Sequence, residues 1–579
     1  MNVVSLGKAF NLIKQLTDTS APTVAPVDTP PQKPAFAGTE GVYESALPES
    51  EGIPSAMLCE YINEVYCNKN INIHNLVIAR HGRVLVNIGF DAWDTSVWRC
   101  VFSQSKSITS IAVGMLLEDG LITLNTTLAQ IFGKRVPALY KSKAKELTVF
   151  HLLTMSSGAD FNELQCITTD NWLKGYFTSG FNFEPGEKFN YNSLNTYVLS
   201  AAVSVLTGKS MVSYLEERLF DPLGITDYFW EKCPKGADRG GWGLYIKPLD
   251  MMKIGQMMMD GGVWQGKRIL SEKYVRAATT KRIDVPAGAG DYDYGFQIWT
   301  ARDYNGFLFN GMFGQNMFCF NDSGIIVCVN SGNTDIFQRN DIFAVTHKYF
   351  NRPFPDTLPR KRRESARLAR LSAELGEYRP RRNKHLYERL FRRRIISRHC
   401  NEVSGVYNVT SKDAVSVGLA PVLMQVVLNN YTKGTVGYGF GSDERGFYLD
   451  YREATGENRI HIGFDKPAIE DVTLMGESLK IASVGEFRYN EDDELVLKLR
   501  VDFLEYPFTR NIKFIFKEDR LEAVYRETPG REMLDGINTD GIAEKLPAMF
   551  SSLTQAGAEQ IITRLGNAFE RNVYAIKNQ

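Results

Sequence analysis

The stretch Phe102 to Leu121, FSQSKSITSIAVGMLLEDGL, constrains the fold more than any other part of the chain. Ile108, Ile111, Ala112, Met115 and Leu116 recur at helical spacing along one stripe, and Gly120 supplies a stop. This pattern predicts a core helix that neighbouring elements must cover. Ser103 and Lys106 stand three residues apart at its start, so both side chains project from one face, one turn apart.

A serine hydroxyl is a weak nucleophile until a base takes its proton. Lysine serves when burial disfavours its ammonium form. A helix N-terminus also directs backbone N–H groups and a positive dipole end at a developing oxyanion. The spacing alone has little specificity, since a chain this long holds about two Ser-x-x-Lys matches by accident. A surface lysine behind an N-cap serine satisfies it equally, and the rest of the chain must decide.

The chain has 579 residues, more than one core usually covers, so several domains are expected. A formal net charge of zero argues against a general nucleic-acid-binding or membrane-coating surface. Eight cysteines lie scattered without CxxC pairs and read as reduced, buried residues with no zinc site. The opening MNVVSLGKAFNLIKQL is interrupted by Lys8 and Lys14 and reads as a short amphipathic helix rather than a secretory leader or membrane span. These features together read as a cytoplasmic protein.

In chain order, prolines between Ala21 and Thr39 predict an extended arm, so residues 1–40 form an N-terminal arm. Pro54 to Cys67 reads as a helix, and IHNLVIAR with VLVNIGF as two strands joined by a tight turn holding His81. LTVFHLLTMSSG is a short helix ending in a turn, with His151 as a packing residue. PGEKFNYNSLNTYVLSAAVSVLTG places Tyr191 on a loop just before a helix that Gly208 ends. GGWGLYIKPLDMMKIGQMMM joins a glycine-rich turn to a methionine-rich core helix. YDYGFQIW, FLFNGMFGQNMFCF and IIVCVN read as strands, the last two paired across Asn321 to Gly324. Residues 41–355 thus form one mixed domain.

Arginine dominates the segment 356–400, which reads as a solvated helical linker, with an anionic-partner patch as the competing reading. From Gly405 the pattern alternates with period two, as in ELVLKLRVDF, and predicts a small β-barrel or sandwich over 401–529. The remainder, 530–579, reads as helical.

FSQSKS, LLTMSSG, PGEKFNYNS, GGWGL, YGFQIW and NGMFGQ occur in an order and at separations that resemble the serine β-lactamase-like superfamily, in particular its class C-like, CubicO-type hydrolases. The resemblance covers about Pro48 to Phe350. It implies an α/β (α+β) fold, an antiparallel sheet flanked by helices plus an all-helical part. The later β region resembles the lipocalin-like barrels that follow such domains. A lid on the catalytic cleft and a structural role fit that region equally.

By this resemblance Ser103 is the acylated nucleophile, Lys106 shuttles its proton and Tyr191 is the second basic group, as phenol or phenolate. The oxyanion hole falls to the backbone N–H groups of Ser103 and Phe313. No metal or organic cofactor is implied. Two departures bear on substrate. Tyr191-Asn192-Ser193 puts Ser193 where much of the superfamily has asparagine, and Asn310-Gly311-Met312 stands where Lys-Thr-Gly or His-Gly-Gly is usual. The cation that grips a substrate carboxylate is therefore missing, and Met312 narrows the cleft.

The expected function is hydrolysis of an ester, amide or small peptide through a covalent acyl-enzyme. A binding or regulatory protein that lost turnover is the rival, and a D-Ala-D-Ala-type carboxypeptidase is a third reading. No nucleic-acid or membrane partner is expected, and self-association into a homo-oligomer stays open.

Overall fold

The computed structural model describes residues 33–38, 43–167, 169–286, 290–335, 338, 340–379, 386–411, 417–535 and 569–578. The expected N-terminal helix and most of the arm lie outside the described residues. Among the described residues the chain divides into two units, the first holding 37–376 and the second 33–36, 377–535 and 569–578.

In the first unit, α1 (Ser55–Cys67) precedes the hairpin β1 (Ile73–Arg80) and β2 (Arg83–Gly89). The helices α2 (Ser105–Glu118), α3 (Glu163–Cys166), α4 (Ser193–Thr207) and α5 (Pro248–Met259) follow. Then come β3 (Tyr292–Tyr294), β4 (Trp299–Ala301), β5 (Gly306–Gly311), β6 (Gln315–Phe320) and β7 (Ile325–Ser331), closed by α6 (Asp341–Phe350) and α7 (Arg362–Gly376). The seven strands form one antiparallel sheet in the order β2-β1-β7-β6-β5-β4-β3.

Both faces of this sheet are covered, which explains why β1 and β7 are buried at every position. Val77, Ala79, Ile326 and Cys328 pack with α2, α4 and α5 on one face. Leu76, Ile78, Ile325 and Val327 pack with α1 and α6 on the other. Helix α2 lies deep in the first of these cores, with Ser105 to Leu116 buried throughout. Each buried leucine or isoleucine there contributes about 1.5–3 kcal/mol.

The arginine-rich segment is not one linker. Leu368 of α7 is buried, Leu371 and Leu375 pack beside it in the core under α1, and the division between units falls after Gly376. Helix α8 (Leu386–Val403) opens the second unit, where Arg392 pairs with Asp465 at 2.9 Å.

The second unit continues with β8 (Gly405–Val409), α9 (Val422–Leu428), β9 (Thr435–Asp443), β10 (Gly446–Glu453), β11 (Gly456–His461), β12 (Ala468–Leu474), β13 (Glu477–Tyr489), β14 (Leu495–Phe503), β15 (Thr509–Lys517) and β16 (Arg520–Thr528). A last strand, β17 (Arg571–Lys577), pairs with both β8 and β16. The order β11-β10-β9-β8-β17-β16-β15-β14-β13-β12 makes a ten-stranded, near-closed antiparallel barrel. Its edges meet where Gly463 bridges Val484 and the His461 N–H donates to Glu470 at 2.6 Å.

Strand β17 corrects the helical expectation for 530–579. Val573 and Ala575 are buried while Asn572, Tyr574 and Ile576 face out, a period of two that only a strand satisfies. Residues 536–568 of that stretch lie outside the described residues. Lys33, in the expected arm, is also tied to this unit: its buried ammonium meets Glu505 at 2.8 Å.

Candidate active site

The α-helix that carries Lys106 begins two residues after Ser103, which the sequence places at its start. Phe102–Gln104 form a single 3-10 turn, and the α-helix starts at Ser105. The Ser105 hydroxyl donates to the Phe102 carbonyl at 2.6 Å and accepts from the Leu244 N–H at 3.2 Å, which pins the turn to the neighbouring strand. Phe102 adopts φ 48°, a left-handed conformation costly for a bulky residue and common where a site is held in one geometry.

Lys106 is buried, and its Nζ lies 2.8 Å from Ser103 Oγ and 2.7 Å from the Gly241 carbonyl. Burial pulls its pKa down to about 7, against a smaller opposite pull from the Glu163 carboxylate. Near neutral pH about half the lysines therefore carry a free amine beside a serine hydroxyl. Gly241 makes this contact sterically feasible, since a Cβ there would stand 2.5 Å from the Ser193 carbonyl oxygen. The Thr109 hydroxyl holds the adjacent Gly240 carbonyl at 2.8 Å.

Tyr191 stands on the loop before α4, its ring stacked on Trp299 at 5.8 Å and edge-on to Tyr294 at 6.3 Å. The Lys106 Nζ lies 4.8 Å from the centre of that ring. Burial raises the Tyr191 hydroxyl above the ordinary tyrosine range, a hydrogen bond with Ser103 draws it back, and Glu163 raises it further. Of the two states open to it, this environment favours the phenol. Asn192 fixes the loop by donating to the Ala159 and Phe161 carbonyls at 3.0 and 2.9 Å, while its Oδ1 caps α4.

Across from the serine, β5 ends at Gly311, and Met312–Gly314 turn the chain into β6. A side chain on Gly311 would stand 2.3 Å from the Val101 carbonyl, so strand and nucleophile turn touch backbone to backbone. Phe313 is left-handed at φ 62°, with its ring edge-on to Phe102 at 5.4 Å. Its carbonyl accepts from the Asn333 N–H at 3.1 Å and from Gln315 Nε2 at 3.4 Å, and Gln315 also grips the Ser331 carbonyl at 2.6 Å.

Ser103, Lys106 and Tyr191 are thus brought together, with Gly311 and Phe313 against the serine turn. Asn310 is partly buried, and its Nδ2 donates to Asn316 across the hairpin at 2.7 Å. Met312 is partly exposed in the turn, and Ser193 is buried as the first residue of α4. Sequence reasoning did not single out Gly241 as the lysine's acceptor or Trp299 as the tyrosine's platform, although both sit inside recognised motifs. It also passed over Gln104, a buried amide beside Ser103 with no partner at either end among the described residues. Glu163, which acts on both Lys106 and Tyr191, belongs to no motif. His151 is engaged locally, where its Nδ1 accepts from the Thr148 N–H at 3.3 Å.

Residues 63–341 match the family model described as Beta-lactamase. Lovastatin esterase from Penicillium rubens is 29% identical over 186 residues, covering 28% of this chain and 46% of its own. Protein flp from Staphylococcus aureus is 23% identical over 171 residues, covering 26% of this chain and 33% of its own. The chain spans less than half the length of either relative. Among solved structures, a putative 6-aminohexanoate-dimer hydrolase from Bacillus anthracis is similar with a TM-score of 0.44 at 18% identity, over 59% of this chain and 92% of that one. Over residues 63–341 the chain is thus similar to the Beta-lactamase family, and its first unit has the Beta-lactamase-like α/β fold.

Proposed function

We propose that this chain is a serine hydrolase that cleaves esters or amides through an acyl-enzyme on Ser103. The observation that carries the reading is the 2.8 Å contact between Ser103 Oγ and the buried Lys106 Nζ. Ser103 Oγ bonds to the substrate carbonyl carbon while its proton passes to the neutral lysine amine. The backbone N–H groups of Ser103 and Phe313 meet the oxyanion. When the carbonyl re-forms, the bond to the leaving group breaks, and the proton travels from Lys106 through the Tyr191 hydroxyl to the departing oxygen or nitrogen. Water then adds to the acyl carbon and yields a proton to the same pair. A second collapse returns that proton to Ser103 and frees the acid.

Esters suit the site better than penicillins or D-Ala-D-Ala peptides. Asn310 offers a neutral amide where a carboxylate-gripping cation would stand, and its Nδ2 is engaged by Asn316. The esterase name of one relative points the same way. Short-chain p-nitrophenyl esters are the direct test. The wild type hydrolyses them faster than nitrocefin, Ser103→Ala does not exceed background, and Tyr191→Phe loses about 100-fold in kcat. Equal turnover by Ser103→Ala overturns the reading, and faster nitrocefin cleavage overturns its substrate half.

A further inference from the structure

The Met312–Gly314 turn holds a conformation that its own residues do not favour. Phe313, bulky and buried, sits at φ 62°, and a left-handed phenylalanine persists only where its surroundings hold it. Gln315, whose side chain is fully buried, supplies part of that hold. Its Nε2 donates to the Ser331 carbonyl at 2.6 Å and to the Phe313 carbonyl at 3.4 Å, while its Oε1 accepts from Asn330 Nδ2 at 2.9 Å. Those partners leave one orientation open to the amide, since a flip would set its oxygen against two carbonyl oxygens. The Asn333 N–H, 3.1 Å from the Phe313 carbonyl, completes the clamp. Gly314 lies directly on the same segment, because a Cβ there would stand 2.6 Å from Asn333 Nδ2.

The same side chain reaches the nucleophile turn. Gln315 pairs with Gly311, and its Cβ lies 3.1 Å from the point where a Gly311 Cβ would stand, a point 2.3 Å from the Val101 carbonyl oxygen. Phe313 in turn meets Phe102, the neighbour of Ser103, edge-on at 5.4 Å. Rotation of Phe313 about its N–Cα bond would carry the ring off Phe102 or swing the N–H, so turn and oxyanion donor are set together. We propose that Gln315 is a positioning residue for acyl transfer: by tying the Phe313 carbonyl to the end of β7, it fixes the Phe313 N–H where the oxyanion forms. This rests on the hydrolase reading and adds to it a residue that acts through the turn.

The test measures p-nitrophenyl butanoate hydrolysis by wild type, Gln315→Met and Gln315→Glu, with Ser103→Ala as the blank and urea titrations reporting folding. Gln315→Met, close in volume but without a donor, lowers kcat by roughly 10- to 100-fold and leaves KM within about twofold, the mark of an interaction realised in the transition state. A trifluoromethyl ketone, whose adduct with Ser103 carries the oxyanion, binds Gln315→Met more weakly by the same factor, whereas the matching secondary alcohol binds as it does to wild type. Gln315→Glu regains activity relative to wild type as pH falls, because only the protonated acid donates to either carbonyl. Unchanged kcat in folded Gln315→Met, or an equal loss of affinity for ketone and alcohol, overturns the inference and leaves the hydrolase reading standing. If Gln315→Met fails to fold, Gln315→Glu decides, and a ratio to wild type that is flat in pH overturns the inference. No turnover by folded wild type overturns both.

Discussion

Lys106 is the residue on which the chemistry turns, because its proton must be absent when Ser103 attacks. With a pKa near 7, the amine fraction grows across the neutral range, so kcat/KM for a neutral ester rises with pH through one inflection near 7 and then levels. Glu163→Gln shifts that inflection to lower pH, since the carboxylate favouring the ammonium is gone. A stability effect follows with a defined sign. The folded pKa lies below the ordinary lysine value of 10.5, so between about 7 and 10.5 the unfolded chain binds the proton more tightly and stability rises with pH. Below that window both states are protonated and the burial penalty is fully present. The stability of wild type relative to Lys106→Met therefore improves from pH 7 to pH 10 in urea titrations. A flat difference, or one of opposite slope, contradicts a buried lysine of depressed pKa.

Two elements, the nucleophile turn and the end of β5, meet without side chains between them. Gly311→Ala places a methyl group against the Val101 carbonyl and must push strand and turn apart. A loss of about 1–3 kcal/mol in stability, with a fall in kcat larger than any change in KM, is the expected outcome. Full activity in that variant argues against the turn and strand sharing one site. At this scale the sequence was readable wherever one period dominated: the α2 stripe, the β1–β2 hairpin and the alternation of β14 all appear where expected. It was less readable where periods were masked. Leu368, Leu371 and Leu375 give α7 an apolar face, but the surrounding arginines made it resemble solvated linker. Seven residues of alternation in β17 were overlooked beside a longer helical-looking run. The site residues inside motifs were legible, whereas Gln104, a buried amide next to Ser103, carries no local signal that marks it.

The whole chain comprises two units with separate cores, and the formal charge of zero conceals a dense run of arginines at their boundary. The barrel's interior is polar as well as aromatic. The hydroxyls of Tyr438, Tyr525 and Tyr451 form a buried chain at 2.7 and 2.9 Å, and Arg510 pairs with Glu527 at 2.9 Å with both side chains buried. Breaking such a pair from one side leaves an uncompensated charge, so the barrel carries folding constraints of its own. The central claim, however, concerns one atom of the first unit. Intact-protein mass after exposure to a fluorophosphonate, with Ser103→Ala in parallel, tests it most directly. A single adduct on folded wild type, mapped to the peptide holding Ser103 and absent from the variant, is the predicted result. Unlabelled wild type, or equal labelling of Ser103→Ala, would contradict an activated nucleophile at this position.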